Sequence, residues 1–442
     1  MMLKFKKKYT YCSLAFQNFI KSFIILFFLI FVLSPLSQGF AQSNFFDNNT
    51  IRKDSIGDSL QKNKIEQKDL RDVIKKTFKL KSFLGSDTTN QKGEGPFLSV
   101  LPAVGYALSS GVTGALVSNI SFYTDTLKKK LSSFLASAYY SQYNQYWAIV
   151  NSNIFYEKHK MNFVGDWRYY KFPTNTFGLG SKNSLSDAVP IDYSYIRIYQ
   201  LAMKEIAPNF FTGIGYHLDY HYNIKLDSNQ NKTIISEINN YNIKSKNSSF
   251  ATSASSGLSL NLQYDNRSNS VNPEKGIFAI IQYRENFKFL GSNKNWKSLL
   301  IDFRKYFHFP NNSNNVLSFW SYNYFTLKGN PPYLDLSNTG GDAYSNSGRG
   351  YVQGRFRGKN MIYLETEYRF EISRNGLFGG VVFANTESLS EYPSNKIETF
   401  LPGAGVGLRL KMNKQSKANI AIDYGFGLNG SHGLFFNIGE VF

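Results

Sequence analysis

One cysteine, Cys12, in 442 residues leaves no material for a disulfide scaffold, and 12 prolines are too few for a proline-rich disordered chain. Long apolar runs are equally scarce. Beyond the first forty residues none approaches the roughly 20 residues of a bilayer-spanning helix, so a membrane-embedded chain of this composition has to cross with strands. Catalytic signatures are missing as well: there is no G-x-S-x-G elbow, no G-x-x-x-x-G-K-[ST] loop, no H-E-x-x-H and no paired-cysteine metal spacing. No nucleophile stands beside a base at recognisable spacing, so no enzyme and no cofactor are expected; a phospholipase-type barrel would need residues assembled only in space. What the chain does have is aromatic residues, 17% of the total with 30 Tyr and 39 Phe, which favours strands. Its mean hydropathy of -0.32 fits a soluble protein or a barrel.

The N-terminus points to export. Lys4, Lys6, Lys7, Lys8 and Lys21 precede an apolar run from Phe23 to Leu33, and Pro35, Gly39 and Ala41 follow, the order of a secretory signal peptide over residues 1–41. An 11-residue apolar core is short for a retained anchor. With cleavage expected after Ala41, the five lysines leave and the formal charge drops from +19 to +14. Residues 42–94 read as a polar periplasmic tail with one short helical pattern, Leu70, Val73, Ile74 and Phe78, whose end is crowded by Lys75, Lys76, Lys79 and Lys81. In an exported chain these lysines suit a solvated or phospholipid-facing helix better than a nucleic-acid arm, so no nucleic-acid partner is expected.

From residue 95 to 442 the texture changes to strand-length segments with period-two alternation. Sixteen such segments can be drawn, from 97–106 and 110–122 through 360–372 and 375–386 to 416–427 and 433–442. The even number suits a bacterial barrel, and about 22 residues per strand and connection suit tilted spans of about ten residues. Tyr363, Glu365, Glu367, Arg369 and Glu371 alternate with Ile362, Leu364, Tyr368 and Phe370, one face for water and one for lipid. Leu258, Leu260 and Leu262 oppose Ser259, Asn261 and Gln263 in the same way, and Ile420, Ile422 and Tyr424 oppose Asn419, Ala421 and Asp423. A soluble sandwich would also alternate, but sixteen strands of this length without helices or proline-guarded edges do not suit one. Counted from a periplasmic start, the connections 172–189, 223–248, 329–359 and 387–400 fall outside the cell, whereas 157–158, 206–207 and 373–374 are tight periplasmic turns, as barrels require. The expected fold is therefore an all-β, about 16-stranded antiparallel transmembrane β-barrel with a short periplasmic tail, placed in the outer membrane of a Gram-negative envelope and surrounded by its lipids.

Two segments carry more than architecture. Asp265 and Arg267 lie two apart on one strand face ahead of Pro273 and Gly276, which reads as an ion pair closing a turn. Gly348-Arg349-Gly350-Tyr351 sits in loop 329–359: arginine is the cation best suited to a partly dehydrated lumen, and flanking glycines permit close backbone approach. The inward acids Glu365, Glu367 and Asp423 are its candidate partners; the plainer reading is a Gly-rich surface loop with solvated arginines. Gly403, Gly405 and Gly407 read as small strand residues that ease barrel bending. His217, Asp219 and His221 share a face, yet lack an evident fourth metal ligand.

These segments resemble the BamA/TamA superfamily of outer-membrane assembly barrels, also called bacterial surface antigens. Tyr264-Asp265-Asn266-Arg267 with Asn272-Pro273-Glu274-Lys275-Gly276 resembles its D-x-R and P-x-x-G strand-turn-strand, and Gly348 to Tyr351 its V-R-G-F/Y loop tip. Gly354 to Asn360, leading into Leu364 to Phe370, looks like the version in Bacteroidetes-type chains. The resemblance covers about residues 95–442. It implies a non-enzymatic barrel that inserts or translocates proteins through a labile seam between first and last strands and an inward-folded sixth loop, with nascent outer-membrane proteins or other assembly subunits as partners. Pro102, Gly105, Gly111 and Gly114 fit a weak seam and equally fit any barrel rim. The family's periplasmic POTRA domains have no counterpart, because residues 42–94 are too few for one. The usual acidic loop partner after the thirteenth strand is replaced by Asn385, which turns the expectation toward Glu365 or Glu367. Phe436, Ile438 and Phe442 form the C-terminal assembly signal, on one face with Leu434 and interrupted by Glu440. The alternative reading is a passive pore or surface-exposed structural barrel, distinguished by whether loop 329–359 fills the lumen.

Overall fold

Alternating side chains leave a strand with one polar and one apolar face, and a closed sheet places all the polar faces inside and all the apolar ones against lipid. That arrangement is realised in the computed structural model, which describes residues 67–70, 72–73, 97–124, 131–156, 160–227, 229–244, 251–412 and 417–442. The barrel strands are β1 (Phe97–Ala107), β2 (Gly111–Tyr123), β3 (Leu131–Ser141), β4 (Tyr146–Tyr156), β5 (Met161–Lys171), β6 (Val189–Ala207), β7 (Phe210–Leu226) and β8 (Thr252–Asp265). They continue as β9 (Gly276–Asn286), β10 (Trp296–His308), β11 (Val316–Lys328), β12 (Asn360–Glu371), β13 (Phe378–Leu389), β14 (Leu401–Lys411), β15 (Asn419–Phe426) and β16 (His432–Ile438). Each pairs antiparallel with its neighbour in sequence, from Phe97 opposite Ser121 to Ile420 opposite Ile438. All sixteen expected strands are present. Where β16 comes back to β1, the described contacts are made by side chains: the Tyr106 and Phe436 rings meet edge-on at 6.2 Å, and Leu108 lies against Gly433.

The faces sort as the alternation requires. Leu258, Leu260 and Leu262 point outward while Ser259 and Asn261 are buried inside, and Leu364 points outward between the buried Tyr363 and Glu365. The four longest connections, 172–188, 227–251, 329–359 and 390–400, all lie at one end of the barrel, the outer side by the rule for such barrels, and the opposite end is the periplasmic one.

β6 and β7 run 19 and 17 residues, well beyond a span; their outer ends rise from the membrane, and that of β6 pairs with the short strand Thr174–Thr176. This extension supports a dome over the outer mouth. Connection 223–248, expected to be a polar loop, instead holds a helix, Lys232–Lys244. Ile234, Ile238 and Tyr241 recur at four- and three-residue spacing and form its inner stripe. They bury against Leu179, Val189, Tyr333 and Leu336, and Tyr241 donates its hydroxyl hydrogen to Pro331 O at 2.7 Å. Asn231 starts the helix by accepting the Ile234 N–H on its side-chain oxygen at 3.3 Å.

Of the tail expected over 42–94, the described residues lie beneath the β12–β13 turn, where Lys68 N–H donates to Asn375 O at 2.9 Å and Leu70 and Val73 belong to a helical turn. Ile74, Phe78, the following lysines and the leader 1–41 lie outside the described residues.

One expectation about the C-terminus is corrected. β16 ends at Ile438, Gly439 takes φ +98°, and the chain then turns inward. Phe442 therefore leaves the lipid-facing row of Leu434 and packs inside against Trp320 and Tyr306. Glu440, expected near the lipid interface, is likewise lumenal, accepting from Arg409 Nε at 2.7 Å and Asn419 Nδ2 at 2.6 Å. The physical reason is charge: a carboxylate avoids the lipid interface when two arginines inside can receive it.

The dome gives a pH prediction. The Glu237 carboxyl, on the outer helix, is pushed from 4.5 up to about 7, first by burial and then by Glu391 and Asp187, against the stabilising Leu179 N–H. A raised acid pKa means that the folded dome takes up a proton. Its contribution is full below about pH 4.5 and is lost as pH rises through 7. Proteolysis within 229–244 should quicken from pH 6 to pH 8 relative to a Glu237→Gln protein at each pH; an identical profile for both proteins would refute the assignment.

Candidate functional site

Connection 329–359, the sixth on the outer side, folds back into the lumen. Ser337–Asn338 pairs with Arg357–Gly358, Thr339 N–H donates to Phe356 O at 3.1 Å, and Asp342 turns the tip by accepting the N–H groups of Asn346 at 2.9 Å and Ser347 at 2.7 Å. The hairpin presents Gly348-Arg349-Gly350-Tyr351 to the β12–β15 wall, and Arg349 is only 2% exposed.

A buried guanidinium needs opposite charge and hydrogen bonds, and this one obtains the charge from three carboxylates and the bonds at both terminal nitrogens, its Nε alone staying unpaired. Arg349 donates to Asp423 Oδ2 at 2.6 Å from one nitrogen, and to Glu365 and Glu367 from the other. Its flat face lies over the Phe383 ring, 3.6 Å from the centroid. A lysine ammonium could match neither the fork nor the stack. The three acids expected as partners are thus all brought to Arg349. Glu365 and Glu367 reach it as alternate residues of β12, and Asp423 arrives from β15.

Sequence reasoning missed the outer members of this network. Arg409 donates to Asp423 Oδ1 at 2.5 Å and to Glu440, while Arg369 donates to Glu367 Oε2 at 2.8 Å and to the Phe442 carbonyl at 2.9 Å. Four carboxylates, Glu365, Glu367, Asp423 and Glu440, thereby meet three guanidiniums, Arg349, Arg369 and Arg409. Arg409 stands between outward residues of β14, so the alternation signalled its direction, but not its partner from another strand. Asn385 also has a role that its type foretold only in part. Lacking a charge to offer the guanidinium, it donates Nδ2–H to the Arg349 carbonyl at 3.0 Å and holds the tip by its backbone.

Glycines make room for that backbone. A Cβ on Gly403 would stand 2.8 Å from Arg349 O, and one on Gly425 2.7 Å from Gly350 N. Gly350 itself has φ +111°, and its Cβ would sit 2.7 Å from Phe426 O. Tyr351 packs on the wall, its hydroxyl donating to Pro402 O at 2.6 Å and accepting Leu428 N–H at 2.9 Å.

The same loop reaches the opposite wall. Asp335 accepts from Ser255 Oγ at 2.5 Å and lies 3.4 Å from His221 Nδ1, and Arg168 on β5 donates to Ala343 O at 2.9 Å. Asp219 is occupied by Arg284 and Tyr199, each at 2.7 Å, and by Tyr195, and His217 bonds Ser259 Oγ at 2.8 Å. Among the described residues no group of His, Cys, Asp and Glu is arranged to hold a metal. The Asp265 and Arg267 pair closes its turn at 2.8 Å with the guanidinium over Phe278, Pro273 is buried, and Gly276 takes φ +110°. These four residues lie apart from the Arg349 network. Phe436 stands at the β16 edge facing Tyr106; Ile438 ends that strand.

A sixteen-stranded barrel whose sixth outer loop is anchored in its lumen defines an outer-membrane β-barrel with an occupied interior. The Omp85 superfamily domain matches residues 117–442, and the chain belongs to that superfamily. Its fold is similar to the crystal structure of BamA from Haemophilus ducreyi lacking POTRA domains 1–3, with TM-score 0.53 and 14% identity over 77% of this chain and 70% of that one. It is also similar to CdiB from Acinetobacter baumannii, with TM-score 0.50 and 14% identity over 78% of this chain and 60% of the other. For CdiB from Escherichia coli the TM-score is 0.52 and the identity 10%, over 79% and 63% respectively. No curated protein matches the sequence.

The close approach of the tip is testable. Gly425→Val places carbon atoms on the Gly350 backbone, an overpacking that costs about 1–3 kcal/mol where the neighbour cannot move. The folded barrel should then be cut by trypsin at Arg349 or Arg355, sites protected in the parent. Continued protection would show that the tip does not rest on β15 in solution.

Proposed function

We propose that this chain takes part in inserting or translocating proteins at the outer membrane, through a seam between β1 and β16 and with its lumen-anchored sixth loop as an internal strut. The observation that carries the reading is the grip of Glu365, Glu367 and Asp423 on Arg349, in a chain of the Omp85 superfamily. A loop fixed across the channel by three buried carboxylates favours this reading over an open, passive pore. The barrel wall gives further support. β16 is 7 residues long against 11 for β1, and Pro102 within β1 has no N–H to offer a neighbouring strand. A short, poorly donating edge can be opened by an incoming strand more cheaply than a full ladder. Nascent outer-membrane proteins are the clients this implies, and lipids surround the outward row of Leu258, Leu260 and Leu262. The signal peptide over 1–41 and the periplasmic tail over 42–94 belong to the same reading.

Depletion tests it. When synthesis of the chain is switched off, the abundance of other outer-membrane barrels, read by quantitative proteomics, should fall severalfold. A wild-type copy should restore them and an Arg349→Ala copy made at equal level should not. Unchanged barrel abundance together with altered solute uptake would reject insertion in favour of a pore.

A further inference from the structure

The turn between β8 and β9, residues 266–275, stands half the ring away from β16, yet it touches the chain end just beyond that strand. Glu440 N–H donates to Val271 O at 3.1 Å, and Val271 lies against Gly439. Asn272 Nδ2 donates to Lys417 O at 3.2 Å, and Lys417 Nζ pairs with Glu274 at 2.8 Å. The turn is built to hold its shape: Asn269 Oδ1 accepts the N–H groups of Val271 at 2.7 Å and Asn272 at 2.9 Å, and the Asp265 and Arg267 pair closes its base. Opposite walls of the barrel are therefore joined at the periplasmic mouth.

The segment at 439–442 is gripped from two other sides as well. Asn346 of the sixth loop donates to Val441 O at 2.7 Å, and the Arg409 and Arg369 guanidiniums hold Glu440 and the Phe442 carbonyl. Any movement of the periplasmic end of β16 away from β1 must break or carry these contacts. Of the three, the strap is the most exposed, with Glu274 and Lys417 at 36% and 40% side-chain exposure against 2–8% for the buried ions. An exposed pair is the weakest of such contacts and the first to yield.

We propose that the 266–275 turn is a releasable strap that ties the end of β16 and the neighbouring β14–β15 connection, which carries Lys417, to the opposite wall, closes the periplasmic mouth, and detaches when the β1–β16 seam opens. The strap's role in activity rests on the insertion reading, whereas its existence as a closure does not. Two measurements separate them. Asn272→Cys with Lys417→Cys, bridged by a short bismaleimide, should crosslink in the folded full-length chain, with Cys12 replaced by serine so that the pair is unambiguous. In cells the bridged protein should fail to restore barrel abundance after depletion, while each single variant treated alike succeeds. In planar bilayers, the purified Glu274→Lys or Lys417→Glu protein should show channel openings about two to five times as often as the parent, the factor an exposed pair supplies, and the double reversal should return to the parental frequency. Absence of the crosslink, or full activity of the bridged protein, overturns the strap as a releasable tie. If depletion leaves other barrels unchanged, the insertion reading fails by itself and the bilayer result alone decides: equal opening frequency in all four proteins overturns the closure.

Discussion

A guanidinium placed inside a barrel and shielded from water has to be neutralised where it lies, and the placement of Arg349 organises much of the molecule. Three carboxylates from two strands converge on it, and two further arginines balance the surplus acid. Removing one member of such a buried network leaves an uncompensated charge, at a cost of about 3–5 kcal/mol. The same need explains the small residues nearby. For Arg349 to reach Asp423 its backbone must lie on β14 and β15, and the side of each strand that faces it is glycine at 403 and 425. Read as bending aids from the sequence, the Gly403, Gly405 and Gly407 row also supplies space: a Cβ on Gly407 would strike the Asp423 carboxylate.

The sixth loop also ties together parts of the barrel that are remote in the sheet. Arg349 binds it to β12 and β15, Asp335 to β7 and β8, Arg168 reaches it from β5, and its base carries Tyr333 and Leu336 into the dome core beneath Ile234, Ile238 and Tyr241. Its two polar ends differ in kind: the Arg349 end is an ion network with a shared acid set, whereas the Asp335 end rests on a hydroxyl and a histidine. The dome adds an apolar seal above both. An interior held in this way is filled by the chain itself.

The strands were legible because lipid enforces their alternation. Leu258, Leu260 and Leu262 must face outward and Ser259 and Asn261 inward, so the span could be drawn from the residues alone. The Arg349 tip was legible from residue type and flanking glycines, and its three acids from their side of the strands. Three features were harder. The outer helix was hidden in a stretch rich in asparagine and lysine, although Ile234, Ile238 and Tyr241 carried its period. Arg409 gave only a direction, because its partners Asp423 and Glu440 come from elsewhere in the chain, and Arg369, though beside Glu367 on its own strand, gave no sign of its bond to Phe442. The inward turn at Gly439 escaped because alternation was carried past the end of β16, and nothing local distinguishes Phe442 as a lumenal ring from Phe442 as a lipid-facing one. Its position is decided by Trp320, Tyr306 and the pull of Arg409 on Glu440.

An interior held by shared ions resists gradual deformation. Glu367 serves both Arg349 and Arg369, and Asp423 both Arg349 and Arg409, so withdrawing the loop tip removes three pairs and alters the acids that Arg369 and Arg409 share with it. Small displacements break strong contacts before new ones form, and the remaining charges require water to enter before the tip can leave. Glu440 connects the same network to the end of β16 through Arg409. The sixth loop and the end of the last strand therefore share one ion network, in which Arg409 touches both Asp423 and Glu440.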